Sequence, residues 1–399
     1  MSTVIVGGGL AGLYVARELS KTETVIILDK YTKVGGRINT GHDGSDNYEI
    51  GAGRIHSSHI RVLDLVKEYG LKTINIGGTP KWRAIGGPSS VNHFEPAWMA
   101  LLTQIRKLPA SILSTSTLCE LSERILGQKK SRMLLEMFPY RTELEHMRAD
   151  LGIKAFDDTL GTQENYSVVA GGLEQLIDGL VRDIKKRGGV IHVNTTVKNV
   201  TESNGVYTVT TSGKTFESNR VVLCLDADVY RQLPVTRGLK ALEYVDMANL
   251  IRIYAKYPPG WFTGEDRTVT NSPLRYIIPI NPSSGLIMIS YTDGRDTYFW
   301  KPLKGAALTN TIQEKVHELF PERDIPEPTW VKPFVWRGST YWKPGHYDPV
   351  EESKKVLQPR PSTMPELYLC GESFSLLQAW MEGALEHADQ LLELIRGRS

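Results

Sequence analysis

The chain of 399 residues is poor in cysteine. Its three, Cys119, Cys224 and Cys370, stand far apart. That spacing suits neither a disulfide frame nor a metal site, and the last two sit in apolar, strand-like runs, so they read as buried thiols. No run of about 18 apolar residues occurs, which argues against a membrane span. Charge of one sign is lacking too. Lys+Arg 47 against Asp+Glu 45 leaves a net charge of +2, so no nucleic acid or other polyanion is expected as partner. The first strand-like run begins at Thr3 and leaves no room for a signal peptide, so the expected address is intracellular, in the cytoplasm. Without such a signal, the N-x-[ST] matches at Asn165, Asn194 and Asn199 carry little. With 41% hydrophobic and 23% charged residues, the composition is that of an ordinary globular protein with core enough for two or three domain-equivalents.

What is present is concentrated at the start. Val4-Ile5-Val6 is short and β-branched, as a buried parallel strand would be. Gly7, Gly9 and Gly12 then give G-x-G-x-x-G, and Leu10 to Leu19 reads as a helix. A second strand, Val25 to Leu28, ends on Asp29, near the ~20-residue spacing of a ribose-binding acid. The first glycine makes a tight turn, the second admits a pyrophosphate against bare backbone, and the third lets helix and strand pack. The unpaired N–H groups at the helix start, Leu10 and Ala11 among them, hold phosphate charge. Strand, helix, strand and acid fall in register, which makes this a dinucleotide site.

Past Asp29 and Lys30 comes Gly35-Gly36-Arg37. An acid, a short spacer and G-G-R resembles the flavin-dependent amine oxidase family. The resemblance implies FAD, with Asp29 and Lys30 at the adenosine ribose, Gly36 beside the pyrophosphate and Arg37 bracing it. Gly51-Ala52-Gly53-Arg54-Ile55-His56 resembles the segment that passes the flavin ring in the L-amino-acid oxidase branch. There Arg54 would grip a substrate carboxylate, for which a planar, permanently charged, two-pronged donor is suited. A solvated arginine, or one bracing flavin phosphate, is the plainer alternative. For His56 and His59 an ordinary loop histidine is the stronger reading, with polar lining of the substrate site as the other.

Ile60 to Tyr69 reads as an amphipathic helix closed by Gly70. Gly77 to Pro96 breaks into turns, and Pro96 to about Leu151 is helical by period. In the resembled family such an insertion roofs the substrate cavity. Gly171-Gly172 then opens a helix to about Lys186, Asn204-Gly205 is a hairpin turn, and Val221 to Leu225 is a buried strand. By resemblance, the backbone at Thr196-Val197 receives the adenine. Leu250 to Tyr254, Arg275 to Ile280 and Leu286 to Tyr291 read as strands, followed by a helix from Ala306 to Leu319. Relatives usually carry a lysine beside flavin N5, and Arg252 stands at that place. Arg337 and Gly338 occupy the positions of a flavin-linking cysteine and a cage tyrosine, so the flavin is expected to be non-covalent. Tyr341 and Trp342, read in a Pro/Gly loop, are cavity lining or packing. Gly371-Glu372 and Ala379-Trp380-Met381-Glu382-Gly383-Ala384 resemble the family's closing signature. The Met381 amide and Ala384 would then lie near the flavin, and Trp380 would stand against its face.

The expected fold is α/β: a Rossmann-like FAD domain from residues 1–76, 166–230 and 331–399, interleaved with an α+β substrate domain from 77–165 and 231–330. The expected activity is oxidation of an L-amino acid with oxygen as acceptor, Arg54, Trp380 and Arg252 being the catalytic candidates. A monoamine or polyamine oxidase, a flavin desaturase and a non-catalytic flavoprotein are the alternatives. The substrate is expected to be a small molecule, and a homodimer is allowed but not required.

Overall fold

Val4, Ile5 and Val6 lie in the strand Ser2–Val6, at the centre of a five-stranded sheet. The computed structural model describes residues 1–161, 164–359 and 363–397. The remainder, 162–163, 360–362 and 398–399, falls in segments assigned from sequence and lies outside the described residues. Ser2–Val6 pairs in parallel with Thr24–Leu28 on one side and Arg220–Leu223 on the other. Val190–His192 and Leu367–Leu369 complete the sheet, again in parallel. The central strand is buried on both faces, which is why its sequence is continuously apolar. One face packs on the helices Leu10–Leu19, Glu174–Lys186 and Met381–Arg396. The other meets Val200, Val209 and Phe216 of a three-stranded meander, whose first turn, Asn204-Gly205, has the positive φ values (52° and 77°) expected of it.

A second, seven-stranded sheet is built mostly from antiparallel pairs. Its order is Trp330–Trp342, Val245–Lys256, Leu286–Asp293, Tyr276–Asn281, Thr268–Thr270, Lys81–Arg83 and Ser89–Ser90. The helix Gly305–Leu319 packs Leu308, Ile312 and Val316 against strand residues such as Ile253 and Ile289. The helical insertion, from Phe94–Ile105 to Ala149–Ala155, packs Trp98, Leu102 and Phe138 with Val269 and Tyr276. Among the described residues no helix is long and apolar enough to cross a membrane.

Two readings of the sequence are corrected. The turn-rich stretch from Gly77 to Pro96 contributes the strands Lys81–Arg83 and Ser89–Ser90 to the second sheet. Trp330–Trp342, read in part as a Pro/Gly loop, is a 13-residue strand. Trp330–Trp342 lies at the sheet edge, the place where a strand tolerates a proline such as Pro333. Gly338 sits opposite an irregularity between Met247 and Asn249, where an added Cβ would stand 3.0 Å from the Ala248 carbonyl oxygen. The segment assigned as 331–399 therefore begins in the second sheet and reaches the first only at Leu367.

Candidate active site

The turn after Ser2–Val6 is shaped by backbone that only glycine can supply. Gly7 has φ +103°, and a Cβ there would lie 2.2 Å from the Cys224 carbonyl oxygen. A Cβ on Gly12 would lie 2.0 Å from the Gly7 carbonyl oxygen. The helix Leu10–Leu19 starts at Gly9 with no side-chain cap, so its first N–H groups are free for an anion. Asp29 Oδ2 accepts the Gly8 N–H at 2.7 Å and Oδ1 accepts that of Tyr31 at 2.8 Å. Each oxygen keeps a lone pair for a ribose hydroxyl.

From this cradle opens a cavity of about 690 Å³. Every cofactor-binding residue expected from the sequence lines it, as do Arg54, Arg252, Tyr341 and Trp380. Arg37 Nη1 donates to Glu372 Oε2 at 2.8 Å and to the Gly338 carbonyl at 2.9 Å. Glu372 Oε1 in turn accepts the N–H groups of Thr340 and Ala379. Ala379 has φ +68°, a left-handed conformation that costs a non-glycine residue strain. It presents Trp380, the residue before the helix Met381–Arg396, whose uncapped N-terminus also reaches the cavity. Bare amides there stabilise negative charge gained by a bound group. A glycine cradle, free helix starts and space of this size fit FAD.

At the other end, Arg54 has its guanidinium carbon 4.9 Å from the Tyr140 ring centroid, 5.0 Å from that of Tyr166 and 5.6 Å from that of Trp380. Its Nη1 is buried with no hydrogen-bond partner. The aromatic faces compensate part of the lost hydration of the charge, but two-pronged donor capacity is left over. Arg252 also lines the cavity, yet its Nη1 is tied to the Glu49 carbonyl at 2.7 Å and its guanidinium lies over Tyr291. Glu143 is 8% exposed, and its Oε1 accepts from the Tyr341 hydroxyl at 3.3 Å. Burial, with Asp293 close by, pushes the Glu143 carboxyl up to about 7, while Arg54 pulls it back. Asp293 is held by the N–H of Arg141, the N–H of Thr142 and the Thr142 hydroxyl, at 2.7–3.0 Å.

Two expected substrate residues do not reach the site. His56 pairs its Nδ1 with Ser58 Oγ at 2.7 Å and sits edge-on to Tyr166, 5.0 Å between centroids. Trp342 is fully buried in the core between the two sheets, its Nε1 donating to the Ser375 carbonyl. Strand alternation explains the second case: Tyr341 faces the cavity, so its neighbour must face away. His59, buried 4.9 Å from the Trp380 ring, is pushed down to about 3 by burial and backs that ring as a neutral side chain. Glu143, Tyr140, Tyr166 and Tyr291 were not singled out from sequence. The first two stand in Phe138 to Glu145, a stretch of mixed charge that nothing in the sequence sets apart from the other charged stretches of the insertion.

A nucleotide cleft that ends at a buried charge walled by aromatic rings is the arrangement of a flavin-dependent oxidoreductase. Residues 10–390 match the family model for flavin containing amine oxidoreductases, and the chain belongs to that family, whose cofactor is FAD. It is similar to aplysianin-A of Aplysia kurodai (24% identity, covering 98% of this chain and 90% of that one). It is equally similar to the flavin-dependent L-tryptophan oxidase RebO of Lentzea aerocolonigenes (24%, covering 96% and 95%). Among solved structures, a redesigned putrescine oxidase superposes with a TM-score of 0.78 over 100% of this chain and 99% of that one, at 17% identity. That likeness shows the shared fold.

Proposed function

We propose that this flavin amine oxidoreductase acts on L-amino acids, giving the imino acid, which hydrolyses to the 2-oxo acid and ammonia. The observation that carries the reading is the unpaired Arg54 guanidinium inside its aromatic cage. A bare amine offers it nothing and would bring a second positive charge beside it. A carboxylate supplies two acceptors to the planar fork. The relationship to an L-tryptophan oxidase points the same way.

FAD would be held non-covalently by the turn Gly7 to Gly12, Asp29, Lys30, Gly36, Arg37, Val197, Gly371 and Glu372, which line the cavity. Gly51, Ala52, Gly53, Met381 and Ala384, which line the same cavity, would hold its ring end. When bound, FAD would supply the hydride-accepting chemistry for oxidation at the substrate Cα, with oxygen as the final electron acceptor and hydrogen peroxide as the product. Arg54 fixes the carboxylate, and with it the direction in which Cα points. Trp380 packs the substrate in place, and the tyrosine walls exclude water. Arg252 stands where the resembled family usually carries a lysine, and its Nη1 is engaged with the Glu49 carbonyl.

The test is a pairwise comparison of an amino acid with its decarboxylated amine. Arg54→Ala should raise KM for the amino acid at least tenfold more than for the amine, read by peroxide release. Equal effects on both, or wild-type oxidation of the amine alone, would favour a monoamine or polyamine oxidase.

A further inference from the structure

Arg54 is not the only charge in the cavity without a partner. Glu143 Oε2 is likewise buried with no hydrogen bond, and among the described residues neither side chain forms an ion pair with the other or with any other charged group. Asp293, the nearest competing carboxylate, is already held by three donors from Arg141 and Thr142. Opposite charges in a low-dielectric space attract strongly, and a pair of long side chains ordinarily closes into a salt bridge. Here each is held back. Arg54 is clasped by three aromatic rings, and Glu143 sits on a short helix, Thr142–Glu145, tethered through Oε1 to Tyr341. An unpaired buried guanidinium and a buried carboxyl with one free oxygen in the same cavity are, once the carboxyl ionises, the complement of a zwitterion.

We infer that Glu143 is the counter-charge for the substrate's ammonium, a specificity-determining group that works together with the carboxylate grip of Arg54. The inference rests on the amino-acid reading above. The ammonium is either the α-group or one at the far end of the side chain, and the probes separate the two. A lone carboxylate with a free oxygen selects against neutral and anionic groups at that place, because they would leave it unpaired.

Equilibrium binding to the FAD-loaded protein, read from the flavin absorbance spectrum and by calorimetry, tests this without turnover. α-Methylphenylalanine has both charges but no Cα–H. 2-Methyl-3-phenylpropanoate lacks the ammonium, and 6-aminohexanoate carries only a terminal one. Wild-type protein should bind one of the two ammonium-bearing probes at least tenfold more tightly than the plain acid. Glu143→Gln should remove that advantage and leave binding of the plain acid unchanged or stronger, and Glu143→Asp should restore part of it. Arg54→Gln should weaken all three. If Glu143→Gln changes neither class of probe, or weakens both equally, the inference falls while the Arg54 reading stands. If wild-type protein binds none of the three, or Arg54→Gln binds them as well as wild type, the carboxylate reading falls too.

Should the Glu143 variants fail to retain FAD, wild-type protein still decides the matter. The groups facing Glu143 are Arg54, Asp293, Tyr341, Tyr291 and Tyr166, and burial raises these tyrosines so that they stay neutral. Affinity for the favoured ammonium probe should then rise from pH 5 to pH 8 as Glu143 ionises, while affinity for the plain acid falls. Parallel profiles would overturn the inference.

Discussion

Arg37 and Glu372, 335 positions apart in the sequence, meet at 2.8 Å across the nucleotide cleft. Arg37 follows the Gly-Gly turn, and Glu372 follows the last strand of the parallel sheet. Through Oε1, Glu372 also fixes Thr340 and the strained Ala379. Removing Arg37 leaves a carboxylate with 5% side-chain exposure short of its counter-charge. Because solvent reaches Arg37 itself (35% exposed), the expected cost of Arg37→Ala is about 1–3 kcal/mol. It should appear as a lower melting temperature and faster loss of FAD. Arg37→Lys should recover part of both, and a melting curve unchanged in Arg37→Ala would rule the link out.

Gly12→Ala sets a methyl group 2.0 Å from the Gly7 carbonyl oxygen. Backbone has to move to admit it, at a cost on the order of 1–3 kcal/mol. The movement would open the glycine turn proposed to hold the pyrophosphate. The purified variant should be colourless or nearly so, while wild type is yellow. Stoichiometric flavin in the variant would contradict this account of the cradle.

Tyr341 and Trp342 are neighbours in sequence with opposite duties. Trp342→Ala should destabilise the protein by about 3–5 kcal/mol, as for other large-to-small core changes. Tyr341→Phe removes one hydrogen bond to Glu143 and should cost about 1 kcal/mol or less, with its main effect on substrate affinity. Denaturant melts of the two variants, run side by side, decide the assignment. Similar losses of stability would mean that both are core residues.

His387 lies fully buried on the helix Met381–Arg396, and its Nδ1 accepts the Gly371 N–H at 3.1 Å. Burial pushes its pKa down to about 4. The unfolded chain takes up a proton near the ordinary value of about 6.5, while the folded one refuses it. Stability is therefore greatest above about pH 6.5, and it drops by up to about 1.4 kcal/mol per pH unit as pH falls toward about 4. His59 acts in the same sense. Melting temperatures of wild type and His387→Gln between pH 7 and pH 5 should converge, with the shallower slope in the variant. Parallel slopes would show that this histidine does not contribute.

The nucleotide half was legible because its signals are local. Gly7, Gly9, Gly12 and Asp29 lie within one strand-turn-helix-strand unit, and the helix Leu10–Leu19 falls where periodicity puts it. At the other end of the cavity only Arg54 and Trp380 were marked beforehand, where a motif carried them. Glu143, Tyr140 and Tyr291 converge from the insertion and the second sheet. Their meeting is a product of long-range packing, which leaves no mark on neighbouring residues. Trp330–Trp342 was obscured by Pro333 and Gly338, which usually interrupt strands but here sit at an edge and opposite an irregularity. The 3.4 Å approach of Cys224 and Cys370 Sγ was equally hidden, since it depends on two strands that come together only in the sheet.

The central parallel sheet begins with Ser2–Val6 and ends with Leu367–Leu369. The glycine turn and the residues that follow Leu367–Leu369 line one cavity only while that strand stays paired with Arg220–Leu223. A molecule in which this single three-residue strand peels away should keep its glycine turn intact and still let go of its flavin.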